Sequence, residues 1–518
     1  MKHLLLSAFL FLNIISIYSQ SPQLVEDFNP GFDGAFGYVK SVRLGNTVIL
    51  ALTGQGTGEE LGALKNGELT LLKDINEGPE GSAIDFFTVF NDRVYFSAFD
   101  PINKSCIWST DGTSENTKIE FVIGDTFGQY PRHLIKSKSG YLYYTSNNAI
   151  YRTDGINNEK IFDDATLFSS YEFAMTNYTT YLNEIAFLVK DEDDFITLYA
   201  VQDNGTVEML SKSPDSSSFP EFSGLTEVEN GLLYVVDDPF TPIVNGTWTY
   251  NHNDQSLKKI QFNSESANRI KPYVNGKALV FVAESGYFIS DGIPANTEFI
   301  YQANEAYFIQ GQELSIGLYE DKLLFPRIEG TWGEDYIVYS DGTENGTVDV
   351  IDSKPSISDI YTYNHHAFVA VGTADGFKPE LYYIDMRDGS VDNFYNFNES
   401  SSFPSIQFVA AVDERIYFVS NLDLFVGYEL YYIELNTLDV EYNKLQSDFS
   451  IEVRDNTYII TTANNLLATA TILTKDGKVV YQNDIMTNTI LQLPELTSDI
   501  YLLSVQTEQG VKTIKFYK

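Results

Sequence analysis

Cysteine is nearly absent: Cys106 stands alone in 518 residues, so no disulfide can form within the chain. Stability must then come from a packed core, even in an oxidising compartment. Cys106 lies one residue before the strand-like pair Ile107-Trp108, which predicts a buried, inert thiol rather than a reactive one. Basic residues are scarce too. Lys and Arg number 33 against 72 Asp and Glu, a net charge of −39 with a pI near 4.3. Such a surface repels phosphate backbones and anionic membranes, which argues against nucleic acid as a partner.

Histidine is rare, with five in all. His3 is in the leader-like start, and His133, His252, His365 and His366 are scattered. Neighbours on a strand point to opposite faces, so His365-His366 reads as one exposed and one packed side chain, not a metal pair. No His-Glu-x-x-His, Gly-x-Ser-x-Gly or glycine-rich phosphate loop occurs. Beyond the first twenty residues no apolar run reaches the ~20 residues that a membrane-spanning helix needs. The mature chain is therefore expected to carry no transmembrane span.

What is present is apolar and aromatic. The chain is 43% hydrophobic and 14% aromatic, with 35 Tyr and 36 Phe, which excludes a disordered acidic polymer and favours strands. The start, "MKHLLLSAFLFLNIISIYSQ", has a positive Lys2, an apolar run from Leu4 to Ile17 and a small Ser19 before a plausible cut. It reads as a signal peptide over 1–19, and export follows.

The rest of the chain is repetitive. Short apolar segments follow a turn at "NTVILAL" (46), "DRVYFSA" (92), "GYLYYTS" (140), "EIAFLVK" (184), "GLLYVVD" (231), "GKALVFVA" (276), "DKLLFPR" (321), "NHHAFVAV" (364) and "ERIYFVS" (414). Their spacing is 43 to 50 residues, with a mean of 46. Four short strands fit in each unit, and no unit can bury its apolar face alone. After each segment comes an aromatic hairpin with a polar tip, as in "IWSTDGTSENT" (107) and "VYSDGTENGT" (338). Asp-Gly between alternating apolar residues is a strong hairpin signal. The turn residues are Asp111, Gly112, Thr113, Asp154, Gly155, Asp291, Gly292, Asp341, Gly342 and Thr343, with Gly205 and Gly389 at two further tips. Each Asp can accept backbone N–H groups one or two residues on, and Thr113 and Thr343 are expected to begin the returning strand. Calcium is the ion these acids could take. One Asp per repeat, however, does not supply the six or more oxygens calcium wants, and no cofactor is expected.

The unit plan predicts an all-β fold: a β-propeller of four-stranded, roughly 46-residue repeats over 20–445. Nine units are counted. The first, "LGALKNGELTLL" (61), and the last, "LYYIELNTLDVEYN" (430), are both degenerate and could share one blade, so eight and nine blades stay open. From about 446 the strands crowd together, seven within 446–518, which predicts a small C-terminal β-sandwich.

Two resemblances attach to these residues. "IWSTDGTSENT", "VYSDGTENGT" and "LLKDINEGPEGS" (71) resemble the ELWxxDGT-type repeats of exported bacterial proteins, although Ile107 replaces the Leu and most units lack the Trp. That family implies a propeller-like repeat outside the cell and no particular enzyme. The ending "LPELTSDIYLLSVQTEQGVKTIKFYK" resembles the type A C-terminal sorting domain of the type IX secretion system. Ile500, Tyr501, Gly510, Lys512, Lys515 and Lys518 match its motif, while Asp499 stands where Gly is usual and the opening Asn-Pro is missing. The resemblance implies passage through the outer membrane of a Gram-negative bacterium, with the type IX machinery as a partner and a secreted or cell-surface destination. The preferred functional reading is a non-catalytic binding module for extracellular glycan or protein. Its rivals are a propeller enzyme acting on polysaccharide or peptide, and a purely structural envelope component.

Overall fold

The computed structural model describes residues 22–31, 34–124, 130–146, 149–163, 178–191, 193–217, 221–238, 240–262, 268–282, 285–302, 315–329, 334–354, 357–371, 380–396, 406–422, 427–435, 449–454, 457–462, 467–474, 478–486, 489–492, 500–507 and 510–517. The leader-like start, 1–19, lies outside them. The chain divides into two compact units, Ser21–Ile433 and Glu434–Lys518.

The first unit is a nine-bladed β-propeller. Blades one to eight span 41–73, 85–124, 132–163, 178–216, 221–259, 268–301, 317–354 and 357–396, each a four-stranded antiparallel sheet paired in chain order. The nine apolar segments of the repeat are the second strands. Flanked by strands on both sides and by blades above and below, they are buried almost throughout, as in Thr47–Thr53, Arg93–Asp100 and Gly231–Asp237. This is why they read as continuous apolar runs rather than alternating ones.

The core lies between blades rather than within them. Ile49, Leu61 and Ala63 of blade one meet Val94, Phe96 and Trp108 of blade two. Leu324, Ile337 and Tyr339 of blade seven meet Val369, Tyr382 and Ile384 of blade eight in the same way. Each fully buried Leu, Val or Phe contributes about 1.5–3 kcal/mol. Cys106 belongs to this packing, and burial pushes its thiol up to about 12.

A second mark of the repeat is a bulge where the third strand meets the fourth. The register slips at Leu61/Gly62, Ile107/Trp108, Ile150/Tyr151, Leu198/Tyr199, Tyr287/Phe288, Ile337/Val338 and Leu381/Tyr382. A bulge in the same place re-aims the aromatic that follows it onto the neighbouring blade. Blade seven has Val338 in that place and blade one has Gly62. A Cβ on Gly62 would lie 2.1 Å from Leu52 Cδ2, so Leu52 fills the space instead. The unit that reads as degenerate is thus a regular blade with a different space-filler.

Ring closure departs from the shared-blade alternative. Blade nine uses Ile406–Val412, Arg415–Ser420 and Glu429–Glu434, and its outermost strand is Gln23–Glu26 from the start of the chain. Tyr428 O accepts the backbone N–H groups of Ala35 and Phe36 at 2.9 and 3.1 Å. The first strand of blade nine touches that of blade one, where Arg43 Nη1 donates to Ala411 O at 2.9 Å.

The closing segment is a copy of a loop elsewhere. "DFNPGFDGA" (27–35) repeats "DINEGPEGS" (74–82), which follows the outer strand of blade one. Buried Glu60 accepts N–H bonds from Ile75 and Asn76 at 2.8 and 3.3 Å, and buried Glu429 accepts from Phe28 and Asn29 at 3.4 and 3.3 Å. Asn76 Nδ2 donates to Gly81 O, and Asn29 Nδ2 donates to Gly34 O. The last repeat is therefore split, its final strand and loop written first in the chain.

Among its described residues the second unit has seven strands in two antiparallel sheets, as expected for a small sandwich. Phe449–Arg454, Thr457–Thr462 and Thr489–Gln492 form one, and Leu467–Thr474, Val479–Met486, Ile500–Thr507 and Gly510–Tyr517 form the other. Among the described residues no helix is long and apolar enough to cross a membrane.

Candidate functional site

The Asp-Gly residues sit at the tips joining third and fourth strands. Asp111 Oδ1 accepts Thr113 N at 3.0 Å and the Thr113 hydroxyl at 2.7 Å, while Oδ2 accepts Asn116 Nδ2. Asp341 does the same with Thr343, at 3.0 and 2.6 Å. Asp291 accepts from Ile293 N and Asn296 Nδ2, and Asp154 from Ile156 N and Asn157 N. These bonds hold the carboxyls of Asp111, Asp154 and Asp341 below the usual carboxylate range. Thr113 and Thr343 do not begin the returning strands, which start at Lys118 and Thr347. The hydroxyl is spent on the Asp, and the tip is a wider loop than a two-residue turn.

Sequence reasoning missed a second half of this tip. The residue before the Asp caps the Gly amide through its hydroxyl and bonds a Thr seven residues on: Thr110 with Thr117, Ser290 with Thr297, and Ser340 with Thr347. The signal was present as a recurring Ser/Thr-Asp-Gly…Thr.

The tip glycine faces the preceding blade at close range. A Cβ on Gly342 would lie 2.6 Å from Tyr273 OH of blade six, and one on Gly205 would lie 2.4 Å from Arg152 Nη2 of blade three. Gly67, Gly112, Gly155, Gly292 and Gly389 face blades nine, one, two, five and seven in the same way. All seven have φ between +73° and +94° and belong to blades one to four and six to eight; blade nine has no such hairpin, its fourth strand coming from the start of the chain, and blade five has the hairpin without the glycine. There the tip is His252-Asn253-Asp254-Gln255 and holds no glycine. The motif residues are thus brought to one face of the ring as blade-to-blade locks, one per glycine-bearing tip, and are not gathered into a common centre.

A cavity of about 920 Å³ opens on that face where the lock is missing. Blade four lends Asn183 from one hairpin and Asp203 and Asn204 from its tip. Blade five lends Glu227, Glu229 and His252, while Lys138 of blade three and Gly276 of blade six stand at the ends. Lys138 Nζ pairs with Glu227 Oε2 at 2.5 Å, and Glu227 Oε1 accepts Leu182 N at 2.9 Å. Asn183 Nδ2 donates to both oxygens of Asp203, at 3.1 and 3.3 Å. Leu182 and Val228 are the aliphatic part of the lining, and among the described residues it holds the His252 imidazole but no Trp, Tyr or Phe ring, hydroxyl or thiol.

The other histidines are elsewhere. His133 packs between Phe86 and Tyr178, and burial lowers it to about 4. His366 is buried with Nδ1 3.0 Å from Tyr383 OH. His365 sits in the turn rather than on the strand, so the two rings lie 3.9 Å apart instead of on opposite faces. Among the described residues no group of three or more His, Cys, Asp or Glu side chains is placed to hold a metal.

Ile500 and Tyr501 open the penultimate strand, opposite Tyr517 and Phe516. Gly510, Lys512 and Lys515 lie on the last strand, opposite Thr507, Val505 and Leu502. Lys518 is outside the described residues.

No protein-family profile and no curated protein matches the chain. Solved structures do. The extracellular domain of a protein named as a one-component system from B. thetaiotaomicron is 11% identical, with 92% of this chain and 80% of that one covered and a TM-score of 0.26. A puromycin-hydrolyzing peptidase of Mycobacterium tuberculosis is 11% identical, covering 77% of this chain and 60% of that one, with a TM-score of 0.39. Oligopeptidase B from Leishmania major is 10% identical over 77% and 53%, with a TM-score of 0.37. The chain thus spans little more than half the length of the two peptidases. Likenesses this distant carry no inference about activity.

Proposed function

We propose that the protein is an exported, non-catalytic binding protein that takes its ligand on the hairpin-tip face of the propeller. The observation that carries this reading is the cavity beside blade five: a concave site on a rigid ring, lined mainly by amides and carboxylates, with its one lysine, Lys138, paired to Glu227 and no Ser, Thr, Tyr or Cys among the described lining residues. The test is a binding screen of the purified propeller unit against extracellular glycans and peptides, with product analysis on the same samples. Saturable binding without product is expected. Turnover of any polysaccharide or peptide would replace the binding reading with an enzymatic one.

The export half of the proposal rests on the leader-like start and on the resemblance of the last hairpin to type IX sorting domains. Residues 446–518 fused to a folded reporter are expected to carry it to the cell surface or medium of a bacterium with that system. A fusion lacking 500–518 is expected to stay in the periplasm. Equal surface delivery of the two fusions would count against the sorting role.

A further inference from the structure

An open, polar cavity cannot draw much affinity from apolar burial, since Leu182 and Val228 are all it offers. Among the described lining residues there is no Trp, Tyr or Phe, the faces on which a sugar ring or a quaternary cation stacks best, and His252 supplies the ring that is there. What remains is charge. Lys138 is neutralised by Glu227, at 2.5 Å. Asp203 is held by the neutral amide of Asn183, which orients the carboxylate without cancelling its charge. Glu229 is exposed on the turn of blade five, lines the cavity, and has its backbone N–H fixed to Gly276 O. Two uncompensated negative charges therefore face a volume of about 920 Å³, too large for a bare ion and sufficient for several residues of extended chain. The net −39 of the whole protein adds attraction at long range.

We infer that the cavity at blades three to six receives a basic peptide segment of a partner protein, with Asp203 and Glu229 accepting its Lys or Arg side chains. This rests on the binding reading above and names the class of ligand.

The test uses the full chain and a fluorescent hexapeptide alternating Lys with Ser, with a Glu-for-Lys peptide and a neutral oligosaccharide as the comparison probes. Saturable binding of the Lys peptide alone is expected. It should weaken several-fold between about 50 and about 300 mM NaCl, as the screening length shrinks about two-fold. The pair Asp203→Asn with Glu229→Gln is expected to weaken it about ten-fold. The pair Glu77→Gln with Glu80→Gln, on an exposed loop of the opposite face, is expected to change it less than two-fold. Equal losses for the two pairs would mean attraction to the overall charge and overturn the site. Oligosaccharide binding that survives Asp203→Asn with Glu229→Gln, without peptide binding, would overturn the ligand class and leave the binding reading standing. Binding of none of the probes would overturn the inference, and the broad screen decides the binding reading separately.

Discussion

Gly34→Val is expected to open the ring and to cost about 4 kcal/mol, at the upper end for a single substitution. Gly34 has φ +66° and forms a bridge with Tyr428. A Cβ there would lie 2.2 Å from Tyr428 N and 2.4 Å from Tyr428 O, against main chain that has no rotamer to give. Displacing it would strip Tyr428 O of the Ala35 and Phe36 N–H groups. It would also pull Phe28 and Asn29 from Glu429 and leave the strand Glu429–Glu434 as a bare edge. The apolar cluster shared by blades nine and one, including Phe36, Leu50, Val412 and Leu430, would then be exposed along one side. The readouts are a melting temperature lowered by about 5 °C or more and new cleavage between 22 and 36 in limited proteolysis. Removing residues 22–31 should do the same. A peptide of residues 21–40 added in trans should recover part of the loss in a saturable way, because it supplies the missing strand. A Gly34→Val protein that melts within about 1 °C of the wild type would show that the closing strand contributes little.

The same segment shows where the sequence is legible and where it is not. The second strands are plain in it because burial on both faces forces continuous apolar runs such as "VYFSAF" and "LLYVV". Gln23–Glu26 is four residues long, with three of them exposed, and has no such signature. Its place follows only from the loop after it, where "DFNPGFDGA" echoes "DINEGPEGS". Phasing the repeat on the second strand hides that echo and makes the last unit look incomplete. The tips are half legible. Asp-Gly announces a turn, but the hydroxyl pair that braces it spans seven residues and needs the fold to bring its ends together. The cavity is the least legible feature, since it is drawn from hairpins of four blades and marked in the chain only by the missing glycine in "HNDQ" (252–255).

Stability is expected to fall as pH rises from about 5 to about 8, and Glu429 is expected to be the largest single cause. Burial pushes its carboxyl up to about 7 against an ordinary 4.5, with nearby Asp27 adding to the rise, and the amides of Asn29 and Phe28 offset only part of it. Burial likewise lifts Asp335 and Asp359 to about 6. A raised carboxyl binds its proton more tightly in the folded chain. Its contribution is therefore complete below the unfolded value and is lost as pH climbs through the folded one. For Glu429 that window runs from 4.5 to about 7. At about 1.4 kcal/mol per pKa unit, it is worth on the order of 3 kcal/mol. The tip carboxyls act in the opposite sense: Asp111 and Asp341 are lowered, so their contribution is lost on acidification below about pH 4. Maximal stability should lie between the two ranges, at mildly acid pH. Relief of repulsion within a chain of net charge −39 works in the same direction as Glu429, so the slope alone does not assign it. Glu429→Gln separates the two. It keeps the shape and removes the ionisation but turns one acceptor of the Phe28 and Asn29 N–H groups into a donor, so the variant should lose less stability than the wild type between pH 5 and pH 8, its melting temperature gaining several degrees on the wild type's across that range. If wild type and variant lose stability in parallel across that range, the closing blade is not where the proton is taken up.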